Sequence, residues 1–192
     1  AALEDEALMR ALTDYALTKL YRATPSENPA AQLLSLVVER TADLAASYMI
    51  AGFVHGVLNS DNINITGESF DYGPWRFTPF WEPGFTAAYF DHQGLYAFAR
   101  QAEAIHWNVA QLALSLRALS ETEPLVDALN RFPEIYAEAM RRRFCWRLGI
   151  AEGTAEQTAT LMESAVRGMI ETRVPIDRFY FGERRTLFDD MN

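Results

Sequence analysis

Asp61, Asn62 and Asp71 are residues whose types and spacing suit metal and phosphate chemistry. Asp61 and Asn62 are adjacent, and Asp71 follows nine residues after Asn62. Between them, residues 63–70 carry alternating apolar and polar side chains around a glycine, which predicts a short β-hairpin. We take residues 66–67 as its two-residue turn. The sequence therefore predicts a half-buried hairpin with polar groups at its base.

This turn fixes which residues of the hairpin face each other. Ile63 pairs with Phe70, and Asn62 lies opposite Asp71. Directly opposed residues hold their Cβ atoms about 4.5–5.5 Å apart. Asn62 and Asp71 are therefore predicted to share one Mg²⁺ ion, which binds oxygen ligands at about 2.0–2.1 Å. Two alternatives stay open: a longer turn would shift the register by one residue, because Thr66 is unfavourable at positive φ, and a plain surface hairpin would meet only water.

The loop before the hairpin has the spacing of a protein-kinase catalytic loop. Protein kinases carry His-Arg-Asp-Leu-x-x-x-Asn before a hairpin and Asp-Phe-Gly after it. His55 and Asn62 keep the interval between His and Asn, and residues 71–73, Asp-Tyr-Gly, stand in the second place. Val57 occupies the position of the kinase catalytic aspartate, and a valine cannot accept a proton. The remaining carboxylate of the loop is Asp61, so the sequence predicts a nucleotide site with a relocated acid.

Two runs, His-Gly-Val-Leu-Asn-Ser-Asp-Asn at residues 55–62 and Asp-Tyr-Gly-Pro at residues 71–74, closely resemble the selenoprotein O (YdiU-type) pseudokinase family. The likeness extends to residues 52–54, 107–108 and 148–150. The resemblance implies a protein adenylyltransferase, which carries out AMPylation. In that family ATP is bound in a flipped orientation relative to kinases, so that AMP passes to a Ser, Thr or Tyr hydroxyl.

The resemblance also implies roles for individual residues. Asp61 would be the catalytic proton acceptor, and Asn62 and Asp71 would be the Mg²⁺ ligands. Asp71 would in addition lie close to the nucleotide phosphates. ATP is the implied nucleotide substrate, and proteins with hydroxyl side chains are the implied acceptors. These roles agree with phosphoryl-type transfer, in which positioning and metal electrostatics supply most of the catalysis.

A kinase-like nucleotide site also needs an N-lobe, with a glycine-rich loop and a strand lysine paired with a helix glutamate. No G-x-G-x-x-G motif precedes His55, and the two long segments before it, residues 5–21 and 29–51, have helical patterns. Members of the resembled family are also much longer than this chain. We therefore expect residues 1–192 to form a single domain, the C-lobe portion of a protein-kinase-like fold. The N-lobe of the same protein would be a partner that this chain lacks.

The elements after the hairpin favour the same fold class. Residues 73–93 are rich in Pro, Gly and aromatic residues and occupy the position of an activation segment, with rings that pin the loop to the helices. Helical patterns then cover about residues 95–119, 133–148 and 154–174. The predicted fold class is mainly α, a kinase-like C-lobe with one small β-hairpin that carries the metal site.

Composition excludes other classes of function. The chain has 26 acidic and 17 basic residues and a net charge of −9, which argues against a nucleic-acid partner, since such partners need a basic face. No membrane span is expected, because the most apolar helix contains Glu39, Arg40 and Asp43. The single cysteine, Cys145, indicates a reducing compartment. With no signal peptide in sight, we expect the cytoplasm of a bacterium, or a mitochondrion if the source is eukaryotic.

Two other functions remain open from the sequence. A catalytically inactive pseudokinase scaffold would bind partners without chemistry, although the pair Asn62 and Asp71 argues against it. A phosphotransferase that uses the γ-phosphate is the second, and Val57 argues against that.

Residues around the loop have structural predictions: His55 braces it by hydrogen bonding, residues 107–108 pack beneath it with Asn108 bonded to its backbone, and residues 141–143 form a solvated arginine face.

Overall fold

The computed structural model describes residues 5–189, which are mainly α-helical with one small antiparallel sheet. This confirms the predicted fold class. The helices are α1 Glu6–Tyr15, α2 Pro29–Ala51, α3 Gln101–Leu116, α4 Thr122–Asn130, α5 Phe132–Leu148, α6 Ala155–Thr172 and α7 Ile176–Asp189. A π-helical turn, Ala16–Leu20, extends α1. The strands are β1 Phe53–Val54 and β2 Arg76–Phe77.

Helix α2 begins and ends at the residues that local sequence dictates. The Asn28 side chain accepts a hydrogen bond from the Ala31 N–H at 3.1 Å, and Pro29 is the first helical residue. Gly52 ends the helix in the left-handed conformation, with φ of 70°. The predicted bounds of this helix are confirmed. After α2 the chain passes through strand β1 into residues 55–62, hereafter the site loop.

The core forms around α2, which contributes to two clusters of buried side chains. Small residues such as Ala42, Ala45 and Ala46 are fully buried and let neighbouring helices approach closely. One cluster joins α2 to α3 and α4, and the other joins the end of α2 to α5, α6 and α7. The helix that precedes the site loop thus contributes to both clusters, so the loop starts from a fixed position.

The two strands of the small sheet lie at the two ends of the segment that carries the candidate site. Phe53 pairs with Phe77 and Val54 with Arg76, so residues 55–75 form one long connection between β1 and β2. The hairpin predicted at residues 63–70 is reduced to a single bridge between Ile63 and Ser69.

The predicted register of that hairpin is wrong by one residue, because Ile63 faces Ser69 and not Phe70. The turn is longer than predicted: the Gly67 N–H bonds to the Asn64 carbonyl at 2.9 Å, and Gly67 takes a φ of 79° while Thr66 keeps a negative φ. A Cβ on Gly67 would lie 2.6 Å from the Arg40 Cβ, so the turn packs tightly on α2. Steric preference at Thr66 thus selects the longer turn.

Other parts of the fold depart from the predictions. Helices α4 and α7 had no predicted counterpart, and α3 begins at Gln101, later than predicted. The apolar stripe of α1 and its π-helical turn (Leu8, Leu12, Tyr15 and Leu20) is 43–56% exposed. Within the described part of the chain, no helix has both the length and the apolarity that a membrane crossing requires.

The arginine cluster of α5 is not a plain solvated face. Arg142 and Arg143 both bind the Asp43 carboxylate on α2, at 2.6 Å from Arg142 Nη2 and 2.8 Å from Arg143 Nε. Burial alone would raise the pKa of Asp43, but the hydrogen bonds and charges of the two arginines outweigh it and hold that pKa below its ordinary value. These ion pairs join α2 to α5, which both contribute to the second core cluster.

Candidate active site

His55 braces the loop from inside the protein, as predicted. Its side chain is fully buried. The ring Nδ1 lies 3.4 Å from the Val57 N–H and accepts from it, so Nε2 carries the proton and donates to the Phe70 carbonyl at 2.9 Å. One imidazole therefore connects the start of the loop to the residue that precedes Asp71.

Gln101 holds the beginning of the same loop from α3. Its side chain is fully buried. Its amide oxygen accepts from the His55 main-chain N–H at 3.0 Å, and its amide nitrogen donates to the Phe53 carbonyl at 2.8 Å. The sequence prediction missed this residue. A signal existed, because Gln101 and Asn108 are seven residues apart and share one helix face with the apolar residues Ala104 and Ile105.

Asn108 holds the middle of the loop, as the sequence predicted. Its amide nitrogen donates to the Leu58 carbonyl at 2.7 Å, and its oxygen accepts from the Ser60 hydroxyl at 2.7 Å. Both N–H donors of this buried amide are thus used, one on the loop and one on its own helix, and its oxygen accepts from the loop. The prediction for its neighbour is wrong, because Trp107 is 61% exposed and does not pack beneath the loop.

Asp61 and Asn62 belong to a short 3₁₀ turn, Ser60–Asn62, that follows these anchors. Asn62 is buried, and its amide nitrogen donates to the Val57 carbonyl at 3.0 Å. This contact orients the amide and leaves its oxygen as an acceptor. Asp61 is exposed, so the relocated carboxylate is accessible to a substrate while its neighbour is fixed in the protein.

Gly56 allows the loop to pass close to the segment that follows Asp71. Its φ is 88°, and an added Cβ would lie 2.9 Å from Pro74 Cγ and 3.1 Å from Ala87 Cβ. A side chain at this position would be both strained and obstructed. Because Gly56 has no side chain, the loop can lie against residues 74 and 87.

Asp71 lies in a segment held mainly by aromatic rings. Its φ of 54° is in the left-handed region, which aspartate tolerates better than most residues, and its carbonyl accepts from the Gly73 N–H at 2.9 Å. The Phe53 ring contacts Tyr72 at 6.1 Å and Trp75 at 6.0 Å between centroids. The rings at the start of this segment pack on strand β1. Further along, Trp81 and Phe85 pack against the second core cluster, to which α5, α6 and α7 contribute, as predicted.

Two tyrosines, half-buried Tyr21 and buried Tyr48, support the turn between the predicted ligands. The Tyr21 hydroxyl donates to the Ile65 carbonyl at 2.6 Å, and the Tyr48 hydroxyl bonds the Ser69 hydroxyl. Burial raises the pKa of Tyr48 to about 12, although the hydrogen bond to Ser69 opposes the rise. Tyr48 therefore remains a protonated donor throughout the physiological pH range.

Asn62 and Asp71 are tied to one short stretch of chain, although they are not directly opposed. Asn62 bonds the Val57 carbonyl, and the carbonyl of Phe70, next to Asp71, bonds the His55 ring. An amide oxygen and a carboxylate are oxygen donors of the kind that Mg²⁺ prefers. Among the described residues, no three His, Cys, Asp or Glu side chains gather into a metal cage. A metal ion held by only these two side chains would keep coordination positions for water and phosphate oxygens.

Comparison with known proteins identifies relatives over nearly the whole chain. A family model described as "Protein adenylyltransferase SelO" matches residues 1–190. A protein named "Protein nucleotidyltransferase YdiU" from Trichormus variabilis is 34% identical over 180 residues, which cover 93% of this chain and 37% of the relative. Proteins of the same name from Trichodesmium erythraeum and Synechocystis are 38% and 45% identical, over 78% and 60% of this chain and 31% and 24% of theirs. The chain thus spans about a third of the length of these relatives.

Proposed function

The chain belongs to the SelO family of protein adenylyltransferases, and we propose that its residues 55–71 supply the general base and the metal ligands for AMP transfer to proteins. The transfer is a proposal for the whole protein, because this chain spans about a third of its relatives. What supports it is one arrangement: exposed Asp61 next to buried, oriented Asn62, with Val57 where a kinase has its acid.

The proposed reaction joins a protein hydroxyl to the α-phosphate of ATP. The hydroxyl oxygen attacks the α-phosphorus and forms a new P–O bond, and the bond from that phosphorus to the α,β-bridging oxygen breaks. Pyrophosphate leaves with the bonding electron pair. The hydroxyl proton passes to the carboxylate of Asp61, which acts as the general base. Atoms and charge balance without any further reactant.

Asn62 and Asp71 are the residues that would hold Mg²⁺. When bound, this ion supplies positive charge that offsets the charge of the phosphate groups. The protein contributes the orientation of the ligands: the Val57 carbonyl fixes the Asn62 amide, and His55 fixes the peptide before Asp71. The oxygen donor set fits the ion that the resemblance implies.

We also propose how the chain fits into its protein and its cell. The helices described above would form the C-lobe of a kinase-like fold, and an N-lobe of the same protein would cover the nucleotide. The absence of a glycine-rich motif before His55 supports this division. A reducing compartment, the bacterial cytoplasm or a mitochondrion, belongs to the same proposal, supported by Cys145, which is a free buried thiol.

Mass spectrometry of acceptor proteins tests the function directly. The protein together with its N-lobe is incubated with ATP and Mg²⁺, and we expect acceptors to gain AMP. A gain of phosphate would instead indicate a γ-phosphotransferase, and no gain would indicate a scaffold. ATP analogues provide the matched control: a carbon bridge between the α and β phosphates should abolish the transfer, whereas one between β and γ should not.

A further inference from the structure

A cavity of about 550 Å³ opens beside Asp61, between the site loop and the first half of α3. Asp61 forms part of its wall, Leu58 lies at its base, and Leu95, Tyr96 and Trp107 surround it. Leu95 is 49% exposed and Trp107 is 61% exposed. Large apolar side chains that line a concave surface and remain open to solvent are typical of a binding site.

We propose that this cavity binds an apolar side chain that neighbours the acceptor hydroxyl in the protein substrate, an inference that rests on the proposed function. The acceptor hydroxyl must lie about 2.6–3.2 Å from the Asp61 carboxylate for proton transfer. Consecutive Cα atoms are about 3.8 Å apart. Residues one to a few positions from the acceptor therefore lie over the cavity, because Asp61 is itself part of the wall.

The charges around the cavity favour an apolar occupant over a charged one. Arg100 and Glu103 at the rim neutralise each other, with Arg100 Nε 3.1 Å from one Glu103 oxygen and Nη2 3.2 Å from the other. Arg100 also donates to the Gly94 carbonyl. The Asp61 carboxylate disfavours an acidic side chain at close range. A leucine or phenylalanine side chain, in contrast, can bury its surface against Leu95 and Trp107.

The walls of the cavity are held in place before any substrate arrives. The Asp91 carboxylate accepts from the main-chain N–H groups of Leu95 and Tyr96, each at 2.8 Å. On the opposite side, Asn108 fixes the Leu58 carbonyl and the Ser60 hydroxyl. Such preorganisation lowers the entropic cost of binding a peptide segment. It also predicts selectivity, since the backbone on both sides of the cavity is fixed.

The test compares peptides that differ only beside the acceptor. Acetylated decapeptides with one serine in a glycine-alanine background carry Leu, Phe, Gly or Asp at each of the positions flanking that serine. With Mg²⁺ and ATP, we expect one flanking position at which Leu or Phe raises kcat/KM over Gly by about tenfold or more, the scale of a buried hydrophobic contact. Aspartate at that position should lower kcat/KM below the glycine value.

Two tryptophan variants locate the preference in the structure. Trp107→Ala should reduce the ratio of rates between Leu-flanked and Gly-flanked peptides to near one. Trp146→Ala is the matched control, because Trp146 is also exposed, at 78%, but does not line this cavity. It should leave the ratio unchanged. An equal loss in both variants, or a preference that survives in Trp107→Ala, would overturn the inference.

Direct peptide binding separates this inference from the proposed function. Fluorescence anisotropy of labelled Leu-flanked and Gly-flanked peptides is measured without nucleotide, on the wild type and both variants. If wild-type protein transfers no AMP, the proposed function fails, while tighter binding of Leu-flanked peptide that depends on Trp107 still supports the cavity. If AMP is transferred without any flank preference, the cavity assignment fails and the function stands.

Discussion

The two halves of the candidate site are held by different forces. The loop of residues 55–62 is fixed by buried hydrogen bonds from Gln101 and Asn108 on α3. The segment of residues 70–77 is held by the His55 ring and by exposed aromatic contacts around Phe53. Buried polar contacts fix one geometry, whereas ring contacts near the surface permit small shifts. The Asn62 amide and the backbone of Asp61 are thus preorganised, whereas Asp71, which we propose as the second metal ligand, is left adjustable.

This difference separates what each half controls. Damage to the loop is expected to lower both stability and turnover, because the loop is part of the core. Damage to the segment is expected to lower nucleotide affinity with little cost in stability.

Asp71→Asn tests the adjustable half. The change keeps a residue that tolerates the left-handed backbone and removes the ligand charge, so we expect weaker Mg²⁺-ATP binding and a transfer rate lower by about 10²-fold or more. Calorimetric titration with ATP and Mg²⁺ measures the affinity, and unfolding should be nearly unchanged. Glu68→Gln removes an exposed charge from the same connection and should have little effect. Equal losses in both variants would show that general charge, and not ligation, is responsible.

Asn108→Ala tests the fixed half. The buried Leu58 carbonyl loses its donor, and one unsatisfied buried group costs about 1–3 kcal/mol. We expect the free energy of unfolding in urea to fall by about 2 kcal/mol, with turnover falling as well because the Ser60 contact is lost. Gln111→Ala, one turn further along the same helix and only partly buried, is the control. If Asn108→Ala is as stable as the control, the loop is not anchored from α3.

Trp75→Ala should have a smaller effect on stability. The indole is 43% exposed and stacks on Phe53 at 6.0 Å and 24°. Ring pairs of this kind contribute about 0.5–1.5 kcal/mol, so we expect a loss of about 1 kcal/mol in urea unfolding. Tyr89→Ala, at a ring that is 89% exposed, should cost almost nothing. A loss at Trp75 larger than that at Asn108 would reverse the contrast between the two halves.

Asp43→Asn should give the smallest change, and one that depends on pH. The pKa of Asp43 is lower in the folded protein than its ordinary value of 3.8, so the contacts with Arg142 and Arg143 stabilise the fold above that pH. That contribution disappears as the pH falls through the lowered pKa. Thermal unfolding from pH 6 to 2 compares the two proteins. At pH 6 the wild type should be more stable than Asp43→Asn by less than about 1 kcal/mol, and this difference should vanish as the pH falls. A difference independent of pH would exclude the charge effect.

The sequence predicts those features that depend on residues close together in the chain. Helix α2 is bounded correctly because Asn28, Pro29 and Gly52 act on the helix ends directly. The spacing of His55, Asn62 and Asp71 identifies the family because the loop is itself a short local motif. The match of the family model over residues 1–190 confirms that the chain belongs to that family.

Features that depend on distant partners were not predictable in the same way. The role of Gln101 requires α3 to lie under the loop, 46 residues away. The binding of Arg142 and Arg143 to Asp43 spans about 100 residues. The hairpin register depended on one choice at Thr66, where the sequence left a longer turn open and the fold adopts it. The roles of Asp61, Asn62 and Asp71 remain predictions.

We propose that the proton acceptor of this site is Asp61, four residues after the kinase position at Val57. The most direct measurement is the single-turnover rate of AMP transfer by Asp61→Asn, with ATP affinity measured in parallel, in the protein that includes its N-lobe. We predict a rate lower by about 10²–10⁴-fold with nearly unchanged ATP binding, and no phosphate transfer in Val57→Asp. An Asp61→Asn enzyme that transfers AMP at the wild-type rate would show that Asp61 is not the proton acceptor.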